Sequence, residues 1–150
     1  LGLALTAAPV AAAGENDAAS AEAALRAFLR SFANCDLPAM EAAFAPDATS
    51  FDALTASAGA ALPAKDSMKR HPGMPLTMRR IAERLPKERP GPPYHRPDLI
   101  DDLLVQVVGD VAICAFHFDS PNRLGRRTIV LARRGSTWRI LHLHASNLQL

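Results

Sequence analysis

Two turns of two residues each constrain the second half of this chain more than any other feature. They are Gly109-Asp110 and Gly135-Ser136, and both have glycine first. Such turns are typical of β-hairpins, because glycine readily adopts the positive φ that a tight hairpin turn requires. The apolar segments that the turns connect are residues 99–108, 111–119, 126–134 and 137–148. The sequence therefore predicts an antiparallel meander of four strands.

Alanine dominates the first 64 residues, which favours helices ahead of this sheet. Apolar residues recur there at the spacing of one helix face, namely Leu25, Phe28, Leu29 and Phe32. Ser20 precedes this run, and serine is a residue type that caps the N-termini of helices. We therefore expect the first helix to begin at Ser20.

A second, shorter helix is expected after the break at residues 34–36, with Asp36 as its cap. It would continue through Phe44 and end at Pro46, and residues 48–54 would then form a short strand. Helices that precede an antiparallel meander define an α+β fold, in which the helices pack on one face of the sheet.

Residues 63–97 are rich in proline and in basic side chains. They hold eight of the 12 prolines, and nine Lys and Arg stand against three Asp and Glu. An amphipathic helix is predicted between Pro75 and Pro86, with Pro-rich loops on either side. A solvated basic surface is the simplest interpretation. The alternative is a lid or a contact with an anionic ligand, because long loops are often functional.

Residues 1–13 carry no charge and are mostly apolar. This stretch has the length of the apolar region of a signal peptide and is shorter than the roughly 20 residues that span a membrane. Ala11-Ala12-Ala13 supplies small residues for cleavage, so we expect a signal-peptide remnant and a periplasmic or secreted protein. The rest of the chain, residues 20–148, is predicted to be a single domain. A disordered alanine-rich tail is the other interpretation of the first residues.

The two cysteines of an exported chain could form a disulfide. Cys35 closes a predicted helix, however, and Cys114 lies within an apolar strand. Two buried free thiols are the more common outcome at such positions.

Composition excludes several classes of protein. The formal net charge is +2 and only 5% of the residues are aromatic, which argues against nucleic-acid binding. No nucleotide-binding glycine motif and no zinc signature occur, so we expect neither a cofactor nor a metal. His142 and His144 form a His-x-His pair, but no Cys or Glu stands at a recognised spacing from it.

The turn at Gly135-Ser136 fixes the pairing of the last two strands if the alternation is regular. One face of the final strand then carries the candidate polar residues Trp138, His142, His144 and Ser146. His144 would lie opposite Arg127. An apolar surface with a few converging polar groups is typical of a small-molecule site, so we expect these residues, with His117, to contact a ligand.

Both faces of the predicted sheet are apolar near its middle. The chain has few helices to cover them, so we expect a second subunit to cover one face. The sequence therefore predicts a homodimer that packs through the sheet.

Three segments carry a family resemblance: Phe44-Ala45-Pro46-Asp47-Ala48, Gly109-Asp110-Val111-Ala112 and the final strand motif at residues 138–146. They resemble the SnoaL-like proteins of the nuclear transport factor 2-like superfamily, which also includes ketosteroid isomerases and polyketide cyclases. The resemblance implies a cone-shaped α+β fold with a strongly curved sheet around a long helix. It also implies a pocket for an apolar small molecule, with His144 and Ser146 pointing into it, and usually a dimer.

Three functions are compatible with these observations. The first is an exported dimeric protein that binds a small apolar or amphipathic molecule without catalysis. The second is an isomerase, cyclase or dehydratase in which Asp52 acts as the base and His144 as its acid partner. The third is an interaction domain that uses the dimerising sheet alone. The one tyrosine, Tyr94, lies in a Pro-rich loop rather than on a core helix, so we rank the binding protein first.

Overall fold

A computed structural model describes residues 14–52, 69–96, 100–120 and 123–149. Its elements are α1 (Glu15–Ala33), α2 (Leu37–Ala42), β1 (Phe44–Phe51), β2 (Arg70–Pro72), α3 (Leu76–Glu88), β3 (Asp101–Val108), β4 (Val111–Ser120), β5 (Arg123–Arg134) and β6 (Thr137–Gln149). The strands form one sheet in the order β2-β1-β6-β5-β4-β3. Neighbouring strands are antiparallel, except for β1 and β6, which are parallel.

The predicted α+β fold is confirmed, because the N-terminal helices pack on one face of a six-stranded sheet that curls without closing. We call the face that packs against α1 the inner face and the opposite face the outer face. The predicted signal-peptide remnant and residues 53–68, which include the start of the basic segment, lie outside the described residues. Within the described part of the chain, no helix is both long enough and apolar enough to cross a bilayer.

The core lies between α1 and the inner face. Leu25 and Phe28 of α1 are almost fully buried, and the Phe28 ring meets the edge of Phe44 at 5.5 Å between centroids. On the sheet, one row of partners runs across β4, β5 and β6 and belongs to the same core: Cys114, Ile129 and Leu143. Full burial of an aliphatic or aromatic side chain contributes roughly 1.5–3 kcal/mol, so this layer holds α1 on the sheet.

Helix α1 begins at Glu15, so the prediction that Ser20 caps it is wrong. Ser20 lies inside the helix and its hydroxyl donates to the carbonyl oxygen of Asp17 at 3.0 Å. Gly14 is the N-cap and gives no side-chain bond, but Glu15 and Asp17 place negative charge in the first turn. Acidic residues there interact favourably with the helix dipole, which lets the helix extend beyond the serine.

The prediction that Asp36 caps α2 is confirmed, because its Oδ1 accepts a hydrogen bond from the Ala39 N–H at 3.1 Å. The predicted end of that helix is wrong, since α2 stops at Ala42 and Phe44 already belongs to β1. Pro46 therefore lies in a strand. The pairing of β1 with β6 shifts between Phe44 and Thr49, and proline is tolerated at such an irregularity because it lacks an N–H to donate.

Both predicted hairpins are confirmed. Val108 pairs with Val111 across the first turn, and Arg134 pairs with Thr137 across the second. Gly109 and Gly135 have φ values of 56° and 63°, the backbone region that favours glycine.

The amphipathic helix predicted after Pro75 is also present as α3, which runs from Leu76 to Glu88. It extends beyond the predicted boundary, with Pro86 inside its last turn. A proline at that position removes a single helical hydrogen bond near the end, so the helix survives it.

Strand β6 contains a bulge that regular alternation does not predict. Leu131 pairs with Ile140, whereas the preceding residue of β5, Val130, pairs with His142. Leu141 is therefore an extra residue in β6. A bulge of one residue moves every later side chain to the opposite face from the one that regular alternation assigns.

The bulge overturns the predicted pairing of the final strands. His144 pairs with Thr128 instead of Arg127, and Ser146 pairs with Arg126. His142, His144 and Ser146 therefore lie on the outer face. Arg127 pairs with Ala145 on the inner face.

Both cysteines are described by the structure and both are free thiols. Cys114 is fully buried in β4, and this burial, together with the negative charge of Glu22, raises the pKa of its thiol to about 11. Cys35 is partly buried between α1 and α2, where burial also raises the pKa of its thiol. Both pKa shifts disfavour the reactive thiolate form.

Candidate functional site

A pocket of about 430 Å³ lies between α1, α3, the inner face of the sheet and the loop at residues 89–96. Its apolar lining comes from three sides: Phe28, Leu29, Phe32 and Ala33 from α1, Met78 and Ile81 from α3, and Phe116, Phe118, Ile129, Leu143 and Ala145 from the sheet. Four of these residues are phenylalanines. A lining of this kind is typical of sites that enclose the apolar body of a small molecule.

Asp52 lies on the pocket wall directly after β1 and is 5% exposed. Its Oδ2 accepts a hydrogen bond from the Leu76 N–H at 3.0 Å, and its Oδ1 accepts one from the Thr77 N–H at 3.1 Å. Both amides belong to the first turn of α3, whose own N-cap, Pro75, provides no side-chain bond. The carboxylate thus satisfies two amides that the helix itself cannot satisfy, and it fastens α3 to the sheet.

Arg127 lies on the sheet side of the pocket, in β5. Its guanidinium donates to the Ser146 carbonyl oxygen at 3.0 Å and to Asn147 Oδ1 at 3.2 Å, and it lies 5.5 Å from the centre of the Phe118 ring. A Cβ atom at Gly125 would come within 3.2 Å of the guanidinium and within 3.0 Å of the Asn147 oxygen. Glycine therefore leaves room for this arrangement of the arginine.

The loop at residues 89–96 forms a further wall, and its residues were not among those predicted for the site. The N–H groups of Tyr94 and His95 both donate to the carbonyl oxygen of Ala33, at 2.7 and 3.1 Å. Arg89 donates to the Tyr94 carbonyl oxygen at 3.0 Å. The carbonyl of Ala33 is at the C-terminal end of α1, so the loop satisfies a helix-end acceptor and is held against the pocket.

His95 contributes an aromatic ring and an unsatisfied nitrogen to this wall. Its ring stacks on Phe32 with centroids 4.6 Å apart, and its buried Nε2 has no hydrogen-bond partner among the described residues. Burial lowers the pKa of His95 below its ordinary value, and the positive charges of Arg89 and Arg84 lower it further. The imidazole is therefore neutral at pH 7.

Of the residues predicted for the site, Asp52 and Arg127 line the pocket, whereas His142, His144 and Ser146 do not. His142 Nδ1 lies 2.9 Å from Thr49 Oγ1 of β1, and His144 is exposed. The prediction that His144 shares a pocket with Asp52 is therefore wrong. The bulge at Leu141 is the reason, because it turns the histidines of β6 to the outer face.

Trp138 and His117 also lie away from the pocket lining. Trp138 Nε1 donates to the Ser20 hydroxyl at 2.8 Å, and the Arg133 guanidinium lies 4.4 Å from the centre of the tryptophan ring. Trp138 thus fixes the N-terminal half of α1 to β6. His117 pairs with Arg126 on the outer side of β4 and contacts Asp119.

Asp101, His117 and Asp119 form the group of described residues that could hold a metal ion, with their ligand atoms within 4.8 Å of one another. The His117 Nδ1 and Asp119 Oδ1 atoms are 2.9 Å apart. A hydrogen bond between them accounts for this arrangement, and both carboxylates are exposed. The expectation of a metal-free protein stays a prediction.

Comparison with known proteins identifies the fold. No model of a protein family matches the sequence, and no similar sequence is found among curated proteins. Among solved structures, a cystatin-like fold protein from Burkholderia xenovorans is 21% identical, with a TM-score of 0.63 over 91% of this chain and 95% of that chain. An NTF2-like protein of unknown function from Pseudomonas putida is 21% identical, with a TM-score of 0.57 over 89% of each chain.

A third similar structure is the CamKII hub homology domain of Chlamydomonas reinhardtii, which is 16% identical, with a TM-score of 0.57 over 88% of this chain and 98% of that domain. Together these similarities define the class: the chain has the cystatin-like fold of the nuclear transport factor 2-like proteins. The fold that the superfamily resemblance implies is confirmed. Assignment to the SnoaL-like proteins in particular stays a prediction.

Proposed function

We propose that this protein binds a small amphipathic molecule in the pocket beneath α1, without catalysing a reaction on it, and that it works as a homodimer. The observation that carries the proposal is the pocket of about 430 Å³ with four phenylalanines in its wall. Sites for small organic molecules commonly measure about 300–1,000 Å³ and combine an apolar lining with a few polar groups. Arg127, Tyr94 and His95 supply such polar groups here.

The placement of the acid–base candidates supports binding over catalysis. A general base has to reach the proton that it abstracts, at about 3 Å or through one water molecule. His144 lies on the outer face, and each oxygen of Asp52 already accepts a backbone hydrogen bond. The isomerase or cyclase alternative would therefore need a different pair of groups from the one that the sequence suggested.

The outer face supports the homodimer. Five of its large apolar side chains have exposed fractions between 38% and 58%: Leu104, Val108, Val111, Ile113 and Leu148. Solvent-exposed apolar patches of this kind are typical of surfaces that contact another protein. A second copy of the chain that packs through the sheet would cover them, as the superfamily resemblance implies.

Export belongs to the proposal as well and rests on the uncharged residues 1–13. We expect the mature protein, purified from its own host, to begin near Gly14 in N-terminal sequencing. Recovery of a cytoplasmic protein that keeps residues 1–13 would contradict export and leave the binding proposal intact.

The neutral fluorescent probe N-phenyl-1-naphthylamine tests the binding proposal directly. We expect saturable binding with enhanced fluorescence, because an apolar pocket shields the probe from water. The variants Ala145→Phe on the sheet and Met78→Trp on α3 fill the pocket and should abolish binding, whereas the outer-face variant Leu104→Lys should preserve it.

Circular dichroism shows whether Ala145→Phe and Met78→Trp keep their fold. The test remains valid if only one of the two variants folds. Absence of probe binding to the wild-type protein would contradict the proposal. Binding that survives both filling substitutions but is lost in Leu104→Lys would place the probe on the outer face and would contradict it too.

A further inference from the structure

We propose that the loop at residues 89–96 is a strap across the pocket that opens when His95 is protonated, so that acidic pH releases the bound molecule. This inference rests on the proposed function and adds the regulation of the same site. The opening of the strap can be measured without a ligand, so the two proposals can fail separately.

The strap is a wall of the pocket that comes from a loop. Its residues Arg89, Tyr94, His95 and Arg96 line the pocket, and residues 89–93 are also exposed to solvent. The walls from α1, α3 and the sheet are held by side chains buried in the core. Loops open at a lower cost in free energy than packed helices and strands, so the strap is the wall that can move most easily.

The contacts that fasten the strap to α1 are concentrated at Tyr94 and His95. Both backbone N–H groups donate to the carbonyl oxygen of Ala33, at 2.7 and 3.1 Å. The His95 ring also stacks on Phe32, with 4.6 Å between the ring centroids. The hydrogen bond from Arg89 to the Tyr94 carbonyl oxygen, at 3.0 Å, lies within the strap itself. Loss of the His95 contacts would therefore release much of what holds the strap to the helix.

The buried edge of the imidazole makes the closed strap easier to open. His95 Nε2 is buried and has no hydrogen-bond partner among the residues that the structure describes. A buried polar atom without a partner costs about 1–3 kcal/mol, and water would satisfy this nitrogen once the strap has moved. The closed position of the strap is therefore less stable than its other contacts alone would make it.

Positive charge surrounds His95 in the closed strap. Arg89 of the strap and Arg84 of α3 both act on the imidazole, while α1 contributes the uncharged Phe32 ring. Arg84 is itself paired with Glu88, at 3.5 Å. Burial lowers the pKa of His95 below its ordinary value, and the two arginine charges lower it further. The imidazole is therefore neutral while the strap is closed.

Protonation of His95 favours the open strap. Protonation in the closed position would place a third positive charge beside two arginines in a partly buried site. In the open position water surrounds the imidazole, and its pKa returns toward the ordinary value of about 6.5. The open strap thus binds the proton more tightly than the closed one does. The equilibrium therefore shifts toward the open strap as the pH falls below about 6.5.

Hydrogen exchange of the Tyr94 and His95 amides measures the opening directly, because both N–H groups donate to Ala33 in the closed strap. Protection factors, corrected for the intrinsic effect of pH on exchange, should fall at least about threefold between pH 7.5 and pH 5. The amide of Ile129, in the middle of the sheet, should keep its protection over the same range, since the opening is local.

The variant His95→Phe keeps an aromatic ring beside Phe32 but cannot bind a proton. Protection of its Tyr94 amide should therefore be independent of pH. His144→Phe is the matched control, because His144 is exposed on the outer face and its variant should keep the response of the wild-type protein. His95→Gln also lacks the titrating group and replaces His95→Phe in the test if the latter does not fold.

The release of N-phenyl-1-naphthylamine tests whether the strap controls the pocket. The rate at which this neutral probe dissociates, followed by stopped-flow fluorescence, should rise at least about threefold between pH 7.5 and pH 5. We expect the same increase in His144→Phe and none in His95→Phe.

The outcomes separate this inference from the proposed function. Protection of Tyr94 that does not change with pH, or that falls equally in His95→Phe, would overturn the strap. A falling protection with a constant release rate would show that the strap does not control the pocket, and the binding function would stand. If the probe does not bind to the wild-type protein at any pH, the proposed function fails and the release of a ligand by the strap fails with it.

Discussion

The inner and outer faces of the sheet are built from the same strands, but they hold their polar side chains in different ways. On the inner side, Asp52 accepts two backbone hydrogen bonds and Arg127 donates to two oxygens of β6. On the outer side, His142 contacts Thr49 and His144 is exposed. Asp52 and Arg127, which border the pocket, therefore each connect neighbouring elements through two hydrogen bonds.

The faces also differ in what covers their apolar residues. Residues such as Ile129 and Leu143 are buried beneath α1, whereas Leu104 and Ile113 on the outer face are 52% and 39% exposed. The chain thus completes its own core on one side and leaves an apolar surface on the other. This difference underlies both the proposed pocket and the proposed dimer.

The largest expected effect is the loss of stability when a deletion disrupts the alternation of side chains between the inner and outer faces. Deleting Thr128 from β5 should unfold the domain, at a cost of more than about 4 kcal/mol, because the strand on one side of the deletion turns its core residues outward. Deleting Leu141 should be tolerated, with a cost of about 1–3 kcal/mol, since it is the extra residue of the bulge and its removal keeps the later residues on their faces.

Thermal and urea unfolding of both deletion variants measure this difference in stability. Equal losses of stability in the two variants would contradict the assignment of the bulge to Leu141.

A smaller loss of stability is expected when the Asp52 carboxylate, which fastens α3 to the sheet, is removed. Asp52→Ala should lower the free energy of unfolding by about 2–4 kcal/mol, because the amides of Leu76 and Thr77 lose their acceptors. Asp47→Ala, which removes an exposed carboxylate paired with Arg134, should cost less than about 0.5 kcal/mol. Urea titrations compare the two variants, and equal costs would contradict the capping role of Asp52.

The exposed apolar surface should respond to charge without loss of the fold. Ile113→Glu on the outer face should weaken self-association at least about tenfold, because a carboxylate would be buried in the interface. Ala27→Glu adds the same charge to an exposed position of α1 and should leave the mass in solution unchanged. Sedimentation velocity reports the masses. A wild-type monomer, or equal dissociation in both variants, would contradict the homodimer.

The smallest expected effect is a pH dependence of the stability, to which one histidine on each face contributes. Burial lowers the pKa of His95 on the inner side and of His142 on the outer side, and neighbouring positive charges add to each shift. A lowered folded-state pKa means that the unfolded chain binds the proton more readily, so stability is present above about pH 6.5 and is lost as the pH falls through the lowered values.

Urea unfolding between pH 5 and pH 8 measures this dependence. His95→Gln and His142→Gln should each flatten the loss of stability at acidic pH. An unchanged pH profile in both variants would show that neither histidine is responsible.

The parts of the fold that depend on local signals could be predicted from the sequence. Gly109 and Gly135 set the two hairpins through their own backbone conformations, and Asp36 caps α2 through a residue three positions away. Each of these outcomes depends on interactions between residues close together in the chain. The α+β architecture followed from the order of these elements.

The site depends on contacts between residues far apart in the chain, which a local sequence pattern does not reveal. The loop with Tyr94 and His95 is held by the carbonyl of Ala33, about 60 positions earlier in the chain. The bulge does have a signal in the sequence. The apolar residues of β6 change from even to odd positions between Ile140 and Leu143, which regular alternation cannot accommodate without an extra residue.

Methyl-resolved NMR titration with N-phenyl-1-naphthylamine tests most directly the central claim that the ligand binds on the inner side of the sheet. We expect saturable shifts of the methyl signals of Ile81, Ile129 and Leu143, while those of Leu104 and Ile113 stay unchanged. Shifts confined to Leu104 and Ile113, or no saturable shift at any of these methyl groups, would contradict it.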